Sequence, residues 1–236
     1  MYEKSSQFFD LLHQSKDYIG ASKTIHNLIQ HHRPGTKTLL EVACGTGKHL
    51  ACFQEYYQVE GLDLSPDLLE IARKRCPTVS FHLSNMMDFN LAHTFDVVTC
   101  LFGSIGYLKT IDNLESAIAC MTRHLNPGGV LFIEPWLSPE KFWNNRVKTH
   151  VIDEPELKIV TMHTSKLEGR VSVYDVNYLV GTPEGVTHFQ EREALGLYTN
   201  EEYAAALEKA GLKVLHDDNG LFGYGMYIGV KSHPSS

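Results

Sequence analysis

Residues 39–49, LLEVACGTGKH, constrain the fold more than any other stretch of the chain. Leu39, Leu40 and Val42 form a short apolar run of the kind that lies in a strand buried on both faces. The run ends in small residues and two glycines, Gly45 and Gly47, which accept backbone angles and close approach that a Cβ obstructs. A helix starting near Lys48 then turns its free N–H groups and the positive end of its dipole back toward whatever occupies the turn. The pattern predicts a nucleotide-binding turn. It is not the G-x-G-x-x-G dinucleotide fingerprint, because Leu50 stands where the third glycine belongs.

The rest of the composition narrows the partners. At 236 residues and 43% hydrophobic content the chain is long enough for one large α/β domain, with or without an insertion. The first ten residues, MYEKSSQFFD, carry charge from the third position, and no segment nears eighteen unbroken apolar residues, so neither secretion nor a membrane partner is expected. Five cysteines (44, 52, 76, 100 and 120) form no C-x-x-C pair and read as free thiols of a cytoplasmic protein. The net charge of −7 argues against a nucleic-acid partner, since such binding draws on clustered Lys and Arg. Arg73-Lys74-Arg75 reads as a solvated helix end. None of the thirteen histidines falls in an H-x-x-x-H or H-E-x-x-H pattern, so no metal site is predicted.

Taken in order, the chain alternates strands and helices. Phe8, Phe9, Leu11 and Leu12 sit at helical spacing and are expected to pack on the core, with Tyr2 ahead of them and Tyr18 behind. For both tyrosines, half-burial with the hydroxyl at the surface is an alternative to a site role. Residues 19–31 predict an amphipathic helix and residues 59–64 a second strand ending in Asp63, whose carboxylate suits a ribose diol. Ser65-Pro66-Asp67 opens a helix with an N-cap and a proline at its first position. Strands near 79–83 and 95–102 end at Asn85-Met86 and at the Gly103 to Tyr107 segment, a helix follows from Asp112, and residues 130–134 supply a fifth strand. This rhythm predicts a parallel sheet with right-handed crossovers. Ligands then bind at the carboxyl ends of the strands, where Gly45, Asp63, Asn85, Met86 and Tyr107 converge. Beyond residue 148 the pattern changes to alternating strands over 158–166, 171–180 and 186–197, predicting an inserted antiparallel layer.

The run EVACGTG, with Asp63 sixteen residues past Gly47, resembles motif I of the class I S-adenosylmethionine (SAM) dependent methyltransferases. Five stretches, the first enclosing that run, narrow the resemblance: LLEVACGTGKHL, EGLDLSPDLLEIARKR, SIGYLKT, HLNPGGV and Glu134-Pro135-Trp136 ahead of the β-rich segment. Together they are similar to the bacterial N,N-dimethyltransferases of nucleotide-linked 3-amino sugars in the desosamine and mycaminose pathways. The similarity runs from Tyr2 nearly to the end of the chain. It implies an α/β fold, a Rossmann-like SAM methyltransferase sheet with an inserted antiparallel β layer. Residues 1–147 would hold the N-terminal segment and SAM-binding core, 148–197 the β layer, as substrate cover or dimer contact, and 198–236 the completion of the core sheet.

By position the resemblance implies that Tyr18, Ala43, Gly45, Gly47, Asp63, Leu64, Asn85, Met86 and Leu101 hold SAM. Tyr107 and Tyr2 would approach the transferring methyl and the amine, and Trp136, Tyr178 and Tyr224 would face the substrate, although Trp136 taken alone also reads as core. The implied activity is direct in-line N-methylation of a small-molecule amine, most simply a nucleotide-linked amino sugar of antibiotic biosynthesis, with a homodimer as one possible assembly. Methylation of another amine or of a hydroxyl, and SAM binding without catalysis, stay open from the motifs. The chain departs from the family in Ser84-Asn85-Met86, where G-D-M is usual, and in Tyr224 and Leu167, where the family carries arginines. A tyrosine cannot replace a bidentate cation, so the contact to a nucleotide diphosphate is in question.

Overall fold

The computed structural model describes residues 4–233. Its centre is a seven-stranded sheet in the order β10-β11-β5-β4-β1-β2-β3. The parallel members are β1 (Thr38–Val42), β2 (Gln58–Asp63), β3 (Ser80–Leu83), β4 (Phe95–Cys100) and β5 (Leu125–Ile133). At one edge β11 (Met226–Lys231) runs antiparallel to both β5 and β10 (Leu212–Asp217). Strand order reverses between β1 and β4, which opens the crevice at their carboxyl ends where ligands bind in such sheets.

Alternation along β1 feeds two cores. Leu40 and Val42 join Leu114, Ile118, Met121, Tyr203 and Leu207 from α5 (Ile111–Arg123) and α6 (Asn200–Lys209). Leu39 joins Ile25, Ile29, Leu50, Phe53 and Leu69 on the opposite face, under α2 (Tyr18–His32), α3 (Lys48–Phe53) and α4 (Pro66–Arg75). Helices on both faces bury the sheet, as a parallel sheet requires. The helix starts follow the expected chemistry: Ser65 caps α4 by accepting the Leu68 N–H, and Thr199 and Glu202 form a capping box on α6.

A second, four-stranded antiparallel sheet consists of β6 (Val147–Asp153), β7 (Lys158–Glu168), β8 (Val171–Thr182) and β9 (Gly185–Gly196). Its inner face buries Ile152, Ile159, Val176, Tyr178 and Val180. Three expectations need correction here. β6 adds a strand the sequence pattern left out, because Val147 and Val151 alternate along an exposed edge and bury no face of their own. Phe8, Leu11 and Leu12, the last two in α1 (Phe9–Leu12), pack on this small core and not on the main one. β5 begins at Leu125, ahead of the strand expected over 130–134, and its pairing with β4 shifts register between Phe95 and Val97 to absorb Asn126 to Gly129.

Asp96, at the start of β4, anchors the approach to β1. Its carboxylate accepts from Arg33 Nη2 (2.9 Å), the backbone N–H of Lys37 (2.9 Å) and Thr38 (3.2 Å), and Asn126 Nδ2 (3.0 Å). Burial alone would raise its pKa, yet these donors hold it well below the usual carboxylate range. A depressed folded pKa contributes stability that is complete above the unfolded value and is lost as pH falls toward the folded one. Asp96→Asn is therefore expected to destabilise the protein by about 2 kcal/mol in urea unfolding at pH 7. The gap to wild type should hold at pH 5 and narrow below roughly pH 4; a gap as wide at pH 3 as at pH 7 contradicts this account.

Candidate active site

Every strand that ends in the crevice contributes to a cavity of about 430 Å³. At one end, the turn after β1 places Ala43 (φ 58°) and Gly45 (φ 55°) in left-handed conformations, and a Cβ on Gly45 would meet nothing within 4 Å, so the backbone there stands open to the cavity. Asp63 joins this turn to the one after β2. Its Oδ2 accepts the Gly45 N–H and its Oδ1 the Ser65 N–H, both at 2.8 Å. Burial raises the Asp63 pKa, and those N–H bonds oppose the shift. Glu41, one turn back on β1, is buried with Oε2 unpartnered among the described residues. Burial first, and then the Asp63 charge, push its carboxyl well above the ordinary range.

Tyr18, Ala43, Gly45, Asp63, Leu64, Asn85, Met86 and Leu101 all line this cavity, as do Tyr107, Trp136 and Tyr224. Gly47 does not: its left-handed turn (φ 74°) admits α4, with Ala72 Cβ 3.3 Å from where a Cβ would sit, so its glycine serves packing. Tyr178 is also elsewhere, buried in the small core and stacked on Phe189 at 4.6 Å. Tyr2 lies outside the described residues. Arg75 is not the solvated helix end that the charge run suggested; its guanidinium bonds the Thr46 carbonyl and Asp10, tying α1 to the glycine turn.

The other end of the cavity is aromatic. Phe102 (φ 60°) and Gly103 (φ 70°) turn the chain after β4 into the 3-10 turn Ser104–Leu108 that carries Tyr107. A Cβ on Gly103 would lie 2.8 Å from Trp136, so the glycine makes room for the indole. Trp136 Nε1 donates to Ser172 Oγ (3.1 Å), which donates to the Leu195 carbonyl (2.9 Å), docking the β layer on the core. Leu195 and Glu193 of β9 complete this wall.

Besides Glu41, several titratable cavity residues were not among the site residues expected from the sequence. Glu134, buried after β5, accepts the Phe102 N–H through Oε2 (2.6 Å); burial lifts its pKa to about 7 against that bond and Lys16. Lys16 lies over Phe102 and Phe222, 4.6 and 4.4 Å from their ring centres. His13 Nδ1 donates to the Phe9 carbonyl (2.8 Å), which fixes its tautomer. His49 Nδ1 pairs with Ser22 Oγ (3.0 Å) while its buried Nε2 is unpartnered among the described residues, and burial lowers its pKa to about 4. Glu193 of β9 is another. Glu134 was within reach of sequence reasoning, since it follows a strand at the ligand-binding edge. Lys16, His13 and Glu193 come from segments with no local motif, and His49 closes the glycine-turn stretch without a feature that marks it for the cavity.

A methyltransferase-domain family model matches residues 39–129, from β1 into β5. The chain is 39% identical over 230 residues, 96% of its own length and 92% of the relative's, to a dTDP-4-amino-2,3,4,6-tetradeoxy-D-glucose N,N-dimethyltransferase of Saccharopolyspora spinosa. The crystal structure of Streptomyces venezuelae DesVI superposes with a TM-score of 0.90 at 37% identity, covering 96% of this chain and 98% of that one. SAM-bound CalS10, an amino pentose methyltransferase of Micromonospora echinaspora involved in calicheamicin biosynthesis, superposes with a TM-score of 0.85 at 36% identity, over 93% of each chain. With identity of this order along nearly its whole length, the chain belongs to the SAM-dependent methyltransferases, in the family of the nucleotide-linked amino-sugar N,N-dimethyltransferases.

Proposed function

We propose that this protein transfers the methyl group of SAM to the amino group of a 3- or 4-amino sugar carried on a nucleoside diphosphate. The observation that carries the reading is one cavity with two chemically distinct ends. The glycine-turn end suits SAM on its own chemistry: Asp63 keeps acceptor capacity for ribose hydroxyls, and the unpartnered Glu41 Oε2 calls for a donor such as the amino-acid ammonium. Asn85 holds its own turn, its Oδ1 accepting the Met87 N–H (3.0 Å), beside the cavity wall where adenine would lie. SAM supplies an electrophilic methyl on sulfur, so this chain's task is to align a neutral nitrogen with it and exclude water. Tyr107 and Trp136 would orient the amine; a tyrosine with an ordinary pKa near 10 is a poor base at neutral pH.

A neighbouring cavity of about 450 Å³ supports the nucleotide-linked reading and offers an answer to the missing arginines. It shares Tyr224 with the first and is lined by Lys141, Arg146, Lys148, His163, Trp143 and Tyr174. None of the three cations forms an ion pair among the described residues, and the Arg146 guanidinium lies 4.3 Å over the exposed Trp143 ring. Unpaired cations beside an exposed indole suit a diphosphate and its base. The β layer would thus cover the substrate, residues 148–197 acting as the unit expected from the sequence. Cytoplasmic residence and a homodimer belong to the same reading.

The direct test is release of S-adenosylhomocysteine from SAM by the purified protein, given dTDP-linked 3-amino and 4-amino sugars and their hydroxyl counterparts; turnover of a hydroxyl sugar alone would overturn N-methylation. Three outcomes follow from the residue assignments. Tyr107→Phe should lower kcat by about tenfold or more while the Kd for SAM stays put; unchanged kcat removes Tyr107 from the site. SAM binding, followed by calorimetry, should tighten as pH rises above the ordinary carboxylate range, because Glu41 must ionise to accept a donor cation. Glu41→Gln should weaken binding by roughly tenfold and reduce that slope to the part owed to Asp63. Arg146→Ala combined with Lys148→Ala should raise KM for the nucleotide-linked sugar by about tenfold, with kcat and SAM affinity little changed.

A further inference from the structure

Two carboxylates face inward from β9, and their partners differ. Glu191 is fully used: Oε1 accepts the backbone N–H groups of Lys4 (2.8 Å) and Ser5 (3.1 Å), and Oε2 accepts the Ser5 hydroxyl (2.5 Å). These bonds fasten the N-terminal segment to the β layer. Glu193 lies two residues on and therefore on the same strand face, where it lines the aromatic end of the cavity that Asp63 and Tyr107 share. It has no hydrogen-bond or ion-pair partner among the described residues. Among the described residues, the titratable groups facing it are Glu191 on its own strand and, from β8, Tyr174 directly across the ladder and Tyr178. Tyr178 is turned to Ser5 and Tyr174 to Ser172, so neither hydroxyl is committed to Glu193. Burial, and then repulsion from Glu191, raise its pKa to about 7, with the N-terminal ammonium opposing the shift.

A carboxylate left unpaired in an apolar wall is costly unless a ligand completes it, and the ligand that does so is a cation. The glycine-turn end already has Asp63 and Glu41 for its own ligand. Glu193 is on the opposite sheet, beside Leu195, which packs against Gly106 and so adjoins the turn bearing Tyr107. The cation it awaits therefore belongs to the methyl acceptor. Free aliphatic amines arrive largely as ammonium ions near neutral pH, and in that form the nitrogen has no lone pair to offer.

We propose that Glu193 receives the acceptor's ammonium group and takes the proton that must leave before the nitrogen can accept a methyl; this rests on reading the cavity as an amine N-methylation site. An N–H bond breaks with its electron pair left on nitrogen, and an O–H bond forms on the Glu193 carboxylate. The proton goes to solvent once the methylated amine departs, which resets the carboxylate for a second round. Glu193 is thereby a specificity residue as well, rewarding a cationic amine over a hydroxyl at the same position.

The experiment uses the full chain loaded with S-adenosylhomocysteine and two simple probes of one shape, cyclohexylamine and cyclohexanol, with binding followed by ligand-observed NMR. Wild type should prefer the amine, and its amine affinity should fall as pH drops below about 7, where Glu193 protonates while the amine stays cationic. Glu193→Gln should lose about tenfold in amine affinity and become flat with pH, with cyclohexanol binding, SAM Kd and Tm unchanged, and Glu193→Asp should recover part of the preference. In turnover, kcat/KM for Glu193→Gln should fall at least about tenfold. Amine binding or turnover by Glu193→Gln equal to wild type overturns the proposal, as does a wild type without preference for the amine. If amine binding behaves as expected but no amino sugar is methylated, Glu193 keeps its role and the sugar assignment falls.

Discussion

Buried negative charge is the constraint on which this structure turns. Four carboxylates, those of Glu41, Asp63, Glu134 and Glu193, border one cavity, and burial pushes each toward its neutral form. Asp63 is held by two backbone N–H groups and Glu134 by one, with Lys16 near it. Glu41 keeps an unpartnered oxygen and Glu193 has no partner among the described residues. A cavity assembled this way is incomplete until cations enter it, and the two open carboxylates sit on different walls. The two cores on either side of the main sheet supply the apolar burial that offsets such unfavourable charge.

Three separate pieces of chain have to meet for the cavity to exist. The main sheet provides the floor, and the β layer docks on it through Trp136, Ser172 and the Leu195 carbonyl. The segment from Lys4 to Tyr18 closes the third side. Ser5 fastens one end of it to Glu191 of the β layer; Asp10, midway along, fastens it to Thr46 (2.6 Å) and Arg75 of the core. Phe9, between these two anchors, and His13 and Lys16, just past the second, line the cavity. Both anchors are polar contacts, so releasing the segment means breaking hydrogen bonds or ion pairs and not only apolar packing.

What could be read from the sequence follows from how local each determinant is. Gly45 and Asp63 were legible because a tight turn at a strand end demands particular backbone angles and a nearby acceptor, and both demands are written within a few residues. The parallel core was legible from the spacing of its strands. Gly47 shows the limit, since the same residue type serves ligand approach or helix packing, and only the position of Ala72 decides. Arg75 looked like a solvated charge because its partners, Thr46 and Asp10, lie 29 and 65 residues away in sequence. Tyr178 shares its strand face with Tyr174, yet lies over the small core, because the β layer passes from cavity wall to core along β8. Glu193 carried no signal at all: an acid in an alternating strand reads as solvent-facing until the opposing wall is known.

The central claim is that one cavity holds the methyl donor at the glycine turn and the amine between Tyr107 and the β layer, with the nucleotide tail in the basic neighbour. A crystal structure of the protein with S-adenosylhomocysteine and a dTDP-linked amino sugar tests this most directly. The account predicts ribose hydroxyls on Asp63, the sugar amine within hydrogen-bond distance of Glu193, and phosphate oxygens on Arg146 or Lys148. A sugar seated with its amine away from β9, or with its diphosphate outside the cavity that Tyr224 shares, would contradict it.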